Sequence, residues 1–392
     1  MKRKFLFFSV VGIISIPFCM WGAWLITPNK KLVLAIVDKT ESMREGRHHM
    51  ALTWILNNEK YSKTHKKSYD VSNDYYGFFP IKKSEYKIKG LERFSSAQLE
   101  QLSDDCDLAY YVDTYGVYSN DLADQNNDVN KGTGIIYGGM SQQDLDFLKK
   151  IKSKKKLIIA EYNTLQSPTP IEIRKQFETA FGLKCSGWTC RYFESLDPVE
   201  NKDLPMWVVN NYKLRNAGKW PFTKPGLAFV STMGEVVVLE DLVHLNNPVP
   251  FISIAKSEQN YFKVDDNVKF PFWFDIIIPD TAINKVVANF NISYTQKGRE
   301  QLVQHNIPLN IPAIISHEGD DYGFHYFSGS FCSTNKLSSS SSHYKWISAF
   351  KSFLYNEDDT MESSSFFWTF YRPLMSTILG NYYKKIKTYR GK

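Results

Sequence analysis

The chain opens on an uninterrupted apolar run, residues 5–26 (FLFFSVVGIISIPFCMWGAWLI). That length matches the roughly 20 residues a helix needs to cross a bilayer. Beyond it the apolar runs shorten and alternate with amphipathic stretches. Residues 31–39 (KLVLAIVDK), Leu108–Val112 and Leu157–Ala160 are dense apolar runs that each end in a polar turn, which predicts buried strands. Residues 75–80 (YYGFFP) predict a further short strand. Residues 47–60, 96–104, 141–151 and 171–181 predict helices, with Ser95 or Ser96 and Ser141 as caps and Pro170 at a first turn. Alternation of strand and helix implies right-handed crossovers and an α/β fold, a doubly wound and mainly parallel sheet.

The second half changes period. Residues 227–239 predict a hairpin turning at Met233-Gly234, and 250–255, 270–278 and 285–294 predict more strands. Residues 324–331 predict a strand returning to the main sheet. Residues 119–134 and 338–342 read as polar loops, the first without the carboxylate spacing of a calcium loop. An aromatic helix over 362–383 closes the chain, and its Arg372-Pro373 argues against a second span. The expected organisation is an anchor over 1–28, an α/β domain over 29–204, a β-rich insertion over 205–310, and a return strand with a C-terminal helix over 311–392.

Charge sharpens the picture at the ends. The 48 Lys and Arg against 41 Asp and Glu leave a net +7, part of it in Lys2, Arg3 and Lys4 and in Lys384, Lys385, Lys387, Arg390 and Lys392. Basic residues before the apolar run favour a cytoplasmic N-terminus, with the bulk of the chain extracytoplasmic. The bulky Cys19-Met20-Trp21 exit favours a retained anchor over a cleaved signal. No basic stripe interleaved with aromatics appears, so nucleic acid is not an expected partner. Aromatics make up 15% of the chain, which favours a large core over the alternative, a surface for stacking on sugars. Cys106, Cys185, Cys190 and Cys332 allow three pairings, the Cys185–Cys190 loop being short enough to close; no ligand spacing for zinc accompanies them.

Candidate chemistry gathers behind the strands. In open parallel sheets ligands bind beyond the carboxyl ends. Asp38, Asp113 and Glu161 each stand directly after an apolar run, so neighbouring strands would bring them into one cleft as an acid/base group or as oxygen ligands for a cation. The competing expectation is that they cap helices or hold loops. Tyr115, Asn163, Thr164 and the loop Trp188-Thr189-Cys190-Arg191 would line the same rim, with Tyr115, Asn163, Thr164, Trp188 and Arg191 as substrate-binding residues and Trp188 serving either as a stacking platform or as a structural aromatic. Asp275 is an isolated acid on an apolar strand. His48, His49, His244, His317 and His325 show no partner spacing, and His48 and His49, being adjacent, point to different faces. No motif calls for a metal or another cofactor.

The segments VLAIVDKT, DLAYYVDTYG, KKLIIAEYNTLQSPT and GFHYFSGSF resemble the class I glutamine amidotransferase-like fold, and within it the trehalose-utilisation-type domains. The resemblance covers residues 31–200 and 310–332. It implies fold. The turn that would carry the nucleophilic cysteine reads Ala160-Glu161-Tyr162-Asn163-Thr164, so glutaminase activity is not implied. Two functions remain as expectations: a membrane-anchored envelope protein that binds and possibly processes carbohydrate, or a scaffold that assembles other envelope proteins. A metal-dependent hydrolase using the three acids is a third.

Overall fold

The computed structural model describes residues 2–42, 46–64, 66–82, 85–121, 134–333 and 337–390, with residues 2–11, 13, 82, 389 and 390 described by their backbone alone. Most of the polar loop read over 119–134 lies outside the described residues. The strands of the two large sheets, in chain order, are β1 (Leu34–Asp38), β2 (Tyr76–Lys82), β3 (Glu85–Ile88), β4 (Leu108–Asp113), β5 (Leu157–Glu161), β6 (Leu183–Phe193), β7 (Gly226–Ser231), β8 (Val236–Glu240), β9 (Leu245–Ile254), β10 (Val268–Lys269), β11 (Phe274–Pro279), β12 (Lys285–Tyr294), β13 (Ile311–Glu318) and β14 (Gly323–Phe327).

Ten of these form one sheet in the order β10-β9-β12-β13-β14-β5-β4-β1-β2-β3. Its centre, β14-β5-β4-β1-β2, is parallel, and antiparallel strands extend it on both sides. The fold is therefore mixed α/β around a parallel centre. The hairpin at Met233-Gly234 forms as β7 and β8, and with β6 and β11 it builds a second, antiparallel sheet in the order β8-β7-β6-β11. The strands of the second half thus divide between two sheets, β9 and β12 joining the main one.

Helices cover both faces of the main sheet. Helix α1 (Lys2–Ile26) precedes it, and α2 (Met50–Asn58) packs with the C-terminal helix Arg372–Arg390 on one face. On the other lie α3 (Ser96–Asp105), α4 (Gln142–Ser153) and α5 (Ile171–Phe181). Capping boxes from Ser95 and Ser141 start α3 and α4, satisfying otherwise orphaned backbone amides. The small sheet buries Cys190, Leu227, Phe229 and Val237 against the first layer, while Ala228, Val230 and Val238 pack with α6 (Met206–Arg215).

Among the described residues no helix is long and apolar enough to cross a membrane. The apolar run of 5–26 does form a helix, but the side chains of its first half lie outside the described set, and the expected span gains no support from the structure.

One expectation is corrected. The Cys185–Cys190 segment is strand β6, not a loop, and all five cysteines are free thiols. Five residues of strand separate two Cα atoms by up to about 16 Å, against the roughly 7 Å a disulfide reaches. Gly187, at φ 84°, places a bulge inside β6 that shifts its register on β11 between Cys185 and Thr189 and hides the strand's alternation.

Candidate functional site

The strand order β2-β1-β4-β5 reverses direction at β1 and β4, the switch point where an open parallel sheet leaves a crevice. Asp38 and Asp113 are register partners there. The alternation of side chains then separates the acids. On β4, Leu108 and Tyr110 share one core with Leu157 and Ile159 of β5, while Ala109 and Tyr111 face the other. Glu161 continues the first series and Asp113 the second.

Asp113 lines a cavity of about 570 Å³ between the carboxyl ends of the parallel strands and the small sheet. Its Oδ1 accepts from Thr40 Oγ1 at 2.7 Å and from the Tyr115 amide at 2.6 Å, and its Oδ2 accepts from Asn163 Nδ2 at 3.3 Å. Burial raises its pKa above the ordinary carboxylate value, and nearby His48 and these donors oppose the rise. Thr40 also accepts from the Gly116 amide, so it braces both sides of the crevice.

Asp38 is engaged elsewhere. Its Oδ2 lies 2.6 Å from Nδ1 of His49, whose Nε2 is 2.7 Å from the Val71 carbonyl. Both ring nitrogens face oxygen acceptors, which requires a proton on each and makes His49 an imidazolium. Burial opposes both charges, yet the shared hydrogen bond and attraction leave the Asp38 pKa lowered and the His49 pKa raised. The pair is a buried ion pair. Ligand atoms of Asp38, Glu41 and His49 lie within 4.8 Å of one another, the one such group among the described residues. Both His49 nitrogens are already occupied by hydrogen bonds, so a metal ion there would have to displace one of them.

Glu161 is sealed against the C-terminal helix. Tyr110 Oη donates to its Oε1, the Cys332 amide donates to its Oε2 at 3.0 Å, and Tyr110 meets Tyr371 at 2.8 Å. Burial pushes its pKa up to about 8. The expected trio of acids therefore splits: Asp113 opens to the cavity, while Asp38 and Glu161 point into packed surroundings.

Among the expected rim residues, Tyr115, Asn163 and Arg191 line the cavity. Asn163 takes the left-handed conformation, φ 67°, which Asn tolerates better than most residues, and its amide donates to Asp275 at 3.1 Å. Thr164 is buried, donating to the Glu161 carbonyl at 2.6 Å. Trp188 is buried in the core with Cys190. Neither lines the cavity. Asp275 is wholly buried, held by Tyr326, and burial raises its pKa to about 7.

Sequence reasoning missed Thr40, His48, Tyr162, Gln166, Trp207 and Trp273 in this lining, while Thr189, expected at the rim, is there. Trp207 and Trp273 run nearly parallel, 6.4 Å between centroids and 14° between planes, and Trp207 is 47% exposed. The only sequence signal was Trp207 at the start of a helix, with its indole outside the apolar stripe.

No protein-family model matches the chain, and no curated protein matches it. Among solved structures it is similar to a thua-like protein from Bacteroides uniformis, at 7% identity and TM-score 0.37 over 89% of this chain and 92% of that one. It is also similar to one from Parabacteroides merdae, at 8% identity and TM-score 0.33 over 76% and 79%. A carbohydrate deacetylase, Agd3, is similar at 9% identity and TM-score 0.31 over 76% of this chain and 29% of that one. At these values the likeness carries no argument about the fold or the activity of this chain.

Proposed function

We propose that the cavity binds carbohydrate, and that α1 tethers the protein to a membrane with the domain extracytoplasmic. The observation that carries the binding reading is one cavity lined by both an ionisable, hydrogen-bonded acid and near-parallel indoles. Asp113, Asn163, Gln166 and Thr189 supply acceptors and donors for hydroxyl groups, and Trp207 and Trp273 supply flat apolar faces for the C–H side of a pyranose. Among the described lining residues Asp113 is the single carboxylate. Two-carboxylate glycoside cleavage needs a second one across the bond, so binding is favoured over hydrolysis.

The tether rests on what surrounds the end of α1. Trp24 Nε1 donates to the Asn57 carbonyl at 3.0 Å, Lys60 sits 3.7 Å from the Trp24 ring centroid, and the Lys345 amide donates to Met20 at 3.1 Å. Trp346, directly after Lys345, and Phe353, eight residues beyond it, are 63% and 85% exposed. Lys30 has its pKa lowered by burial, and Lys345 and Lys384 lower it further, so basic groups cluster where lipid headgroups would lie.

A glycan-binding and hydrolysis screen of the detergent-solubilised full chain tests the site. Binding of a glycan, lost in Asp113→Ala and Trp273→Ala, is expected; a chain that binds none refutes the reading. Alkaline extraction of membranes tests the tether, with release into the supernatant as the contrary result.

A further inference from the structure

Arg191 enters the cavity wall held by a single long ion pair, to Asp203. It stands two residues beyond Thr189 on the same face of β6, opposite Ala228 on β7. Its Nε is buried and has no hydrogen-bond partner. Its Nη2 lies 3.8 Å from Oδ2 of Asp203, beyond hydrogen-bond range, and that carboxylate is 76% exposed. Phe193 covers the guanidinium at 4.9 Å. A guanidinium keeps its charge at neutral pH even when burial lowers its pKa, as it does here. A buried, charged donor without an acceptor is an unfavourable element. A ligand oxygen with negative charge removes that element, and the planar fork of Arg matches two carboxylate oxygens at once.

The opposite charge lies on a different wall. Asp113 ends β4 in the main sheet, whereas Arg191 belongs to the small sheet. The cavity thus presents an acceptor for hydroxyls on one side and, on the other, a cation whose Nε has no hydrogen-bond partner.

We propose that the sugar recognised here is acidic, a uronic acid unit whose carboxylate pairs with Arg191. The proposal rests on the carbohydrate reading of the same cavity. It assigns Arg191 as the residue that tells an acidic sugar from a neutral one, and Asp113 as a ligand for the hydroxyls.

The test is calorimetric titration of the full chain in neutral detergent with short oligomers of galacturonate, glucuronate, mannuronate and guluronate. Each is paired with the same oligomer after reduction of its carboxyls to primary alcohols. At least one acidic oligomer is expected to bind about ten-fold or more tightly than its reduced partner, the scale of a charge-assisted hydrogen bond. Arg191→Gln brings that ratio close to one, while Arg191→Lys, charged but without the fork, retains part of it. Melting curves of both variants confirm folding. Reduced oligomers that bind as well as acidic ones overturn the proposal and leave carbohydrate binding standing. An acid preference that survives Arg191→Gln overturns the role of Arg191. Binding of no oligomer, acidic or reduced, overturns both readings.

Discussion

Asp113 and Glu161 occupy equivalent places, each the last residue of a parallel strand behind a run of apolar residues, on neighbouring strands. Their fates differ because one residue of parity separates them. Asp113 continues the opposite series, and its carboxylate meets Thr40, the Tyr115 amide and a cavity. Glu161 continues the face covered by the C-terminal helix, and Tyr110 and the Cys332 amide enclose it. Asp38 shares the enclosed side and answers burial with His49. An acid at a strand end is thus a position, and the layer packed against its face decides its chemistry.

The largest expected difference between the two sides is in stability. His49→Ala leaves Asp38 as an unpaired buried charge and is expected to cost about 3–5 kcal/mol, the scale for breaking a buried pair. Asp113→Asn keeps two of three hydrogen bonds and is expected to cost about 1 kcal/mol. Chemical denaturation of both variants measures this, and equal losses would erase the distinction.

A second contrast is in pH. With its folded pKa raised to about 8 from an ordinary 4.5, Glu161 contributes stability that is full below pH 4.5 and lost as pH rises through 8. His49, also raised, adds to the loss at the alkaline end, since its stabilisation is complete below about 6.5 and disappears above its folded pKa. Asp38 works in the opposite sense, stabilising above its unfolded value of 3.8 and failing as pH falls below its lowered folded value. The melting midpoint is therefore expected to fall between pH 5 and 9. Glu161→Gln, neutral at every pH, should flatten much of that decline. A variant with the wild-type slope would show that Glu161 ionises freely in the folded chain.

Smaller effects separate the aromatics. Trp207→Ala removes a half-exposed indole from the cavity wall and is expected to weaken glycan binding by about ten-fold, as loss of a stacking face does. Trp188→Phe, in the core, should leave affinity within about two-fold while lowering stability slightly. If Trp188→Phe weakens binding more than Trp207→Ala, the wall has been misassigned.

Much of the parallel centre was legible because dense apolar runs such as LVLAIV and LAYYV bury on both faces and stop at polar turns. Ser141 with Asp144 likewise announced the start of α4 through its capping box. The acids were legible as strand ends, but which face each met was not, since a run buried on both sides carries no alternation to reveal parity. Strand β6 was hidden by the bulge at Gly187, and with it the placement of Trp188 and Arg191 on opposite faces. Thr40, Trp207 and Trp273 come together from three separate segments; Thr40 meets Asp113 across adjacent strands, and the docking of the small sheet brings the two indoles into the same cavity. His49 gave no signal because its partners, Asp38 and Val71, lie 11 and 22 residues away.

The most direct test compares the two acids in one experiment, titrating a glycan that wild type binds into Asp113→Asn and Glu161→Gln and recording the melting midpoint of each. Asp113→Asn should lose most of its affinity while melting near wild type, and Glu161→Gln should keep its affinity while its stability changes. Affinity lost in Glu161→Gln and retained in Asp113→Asn would contradict the account.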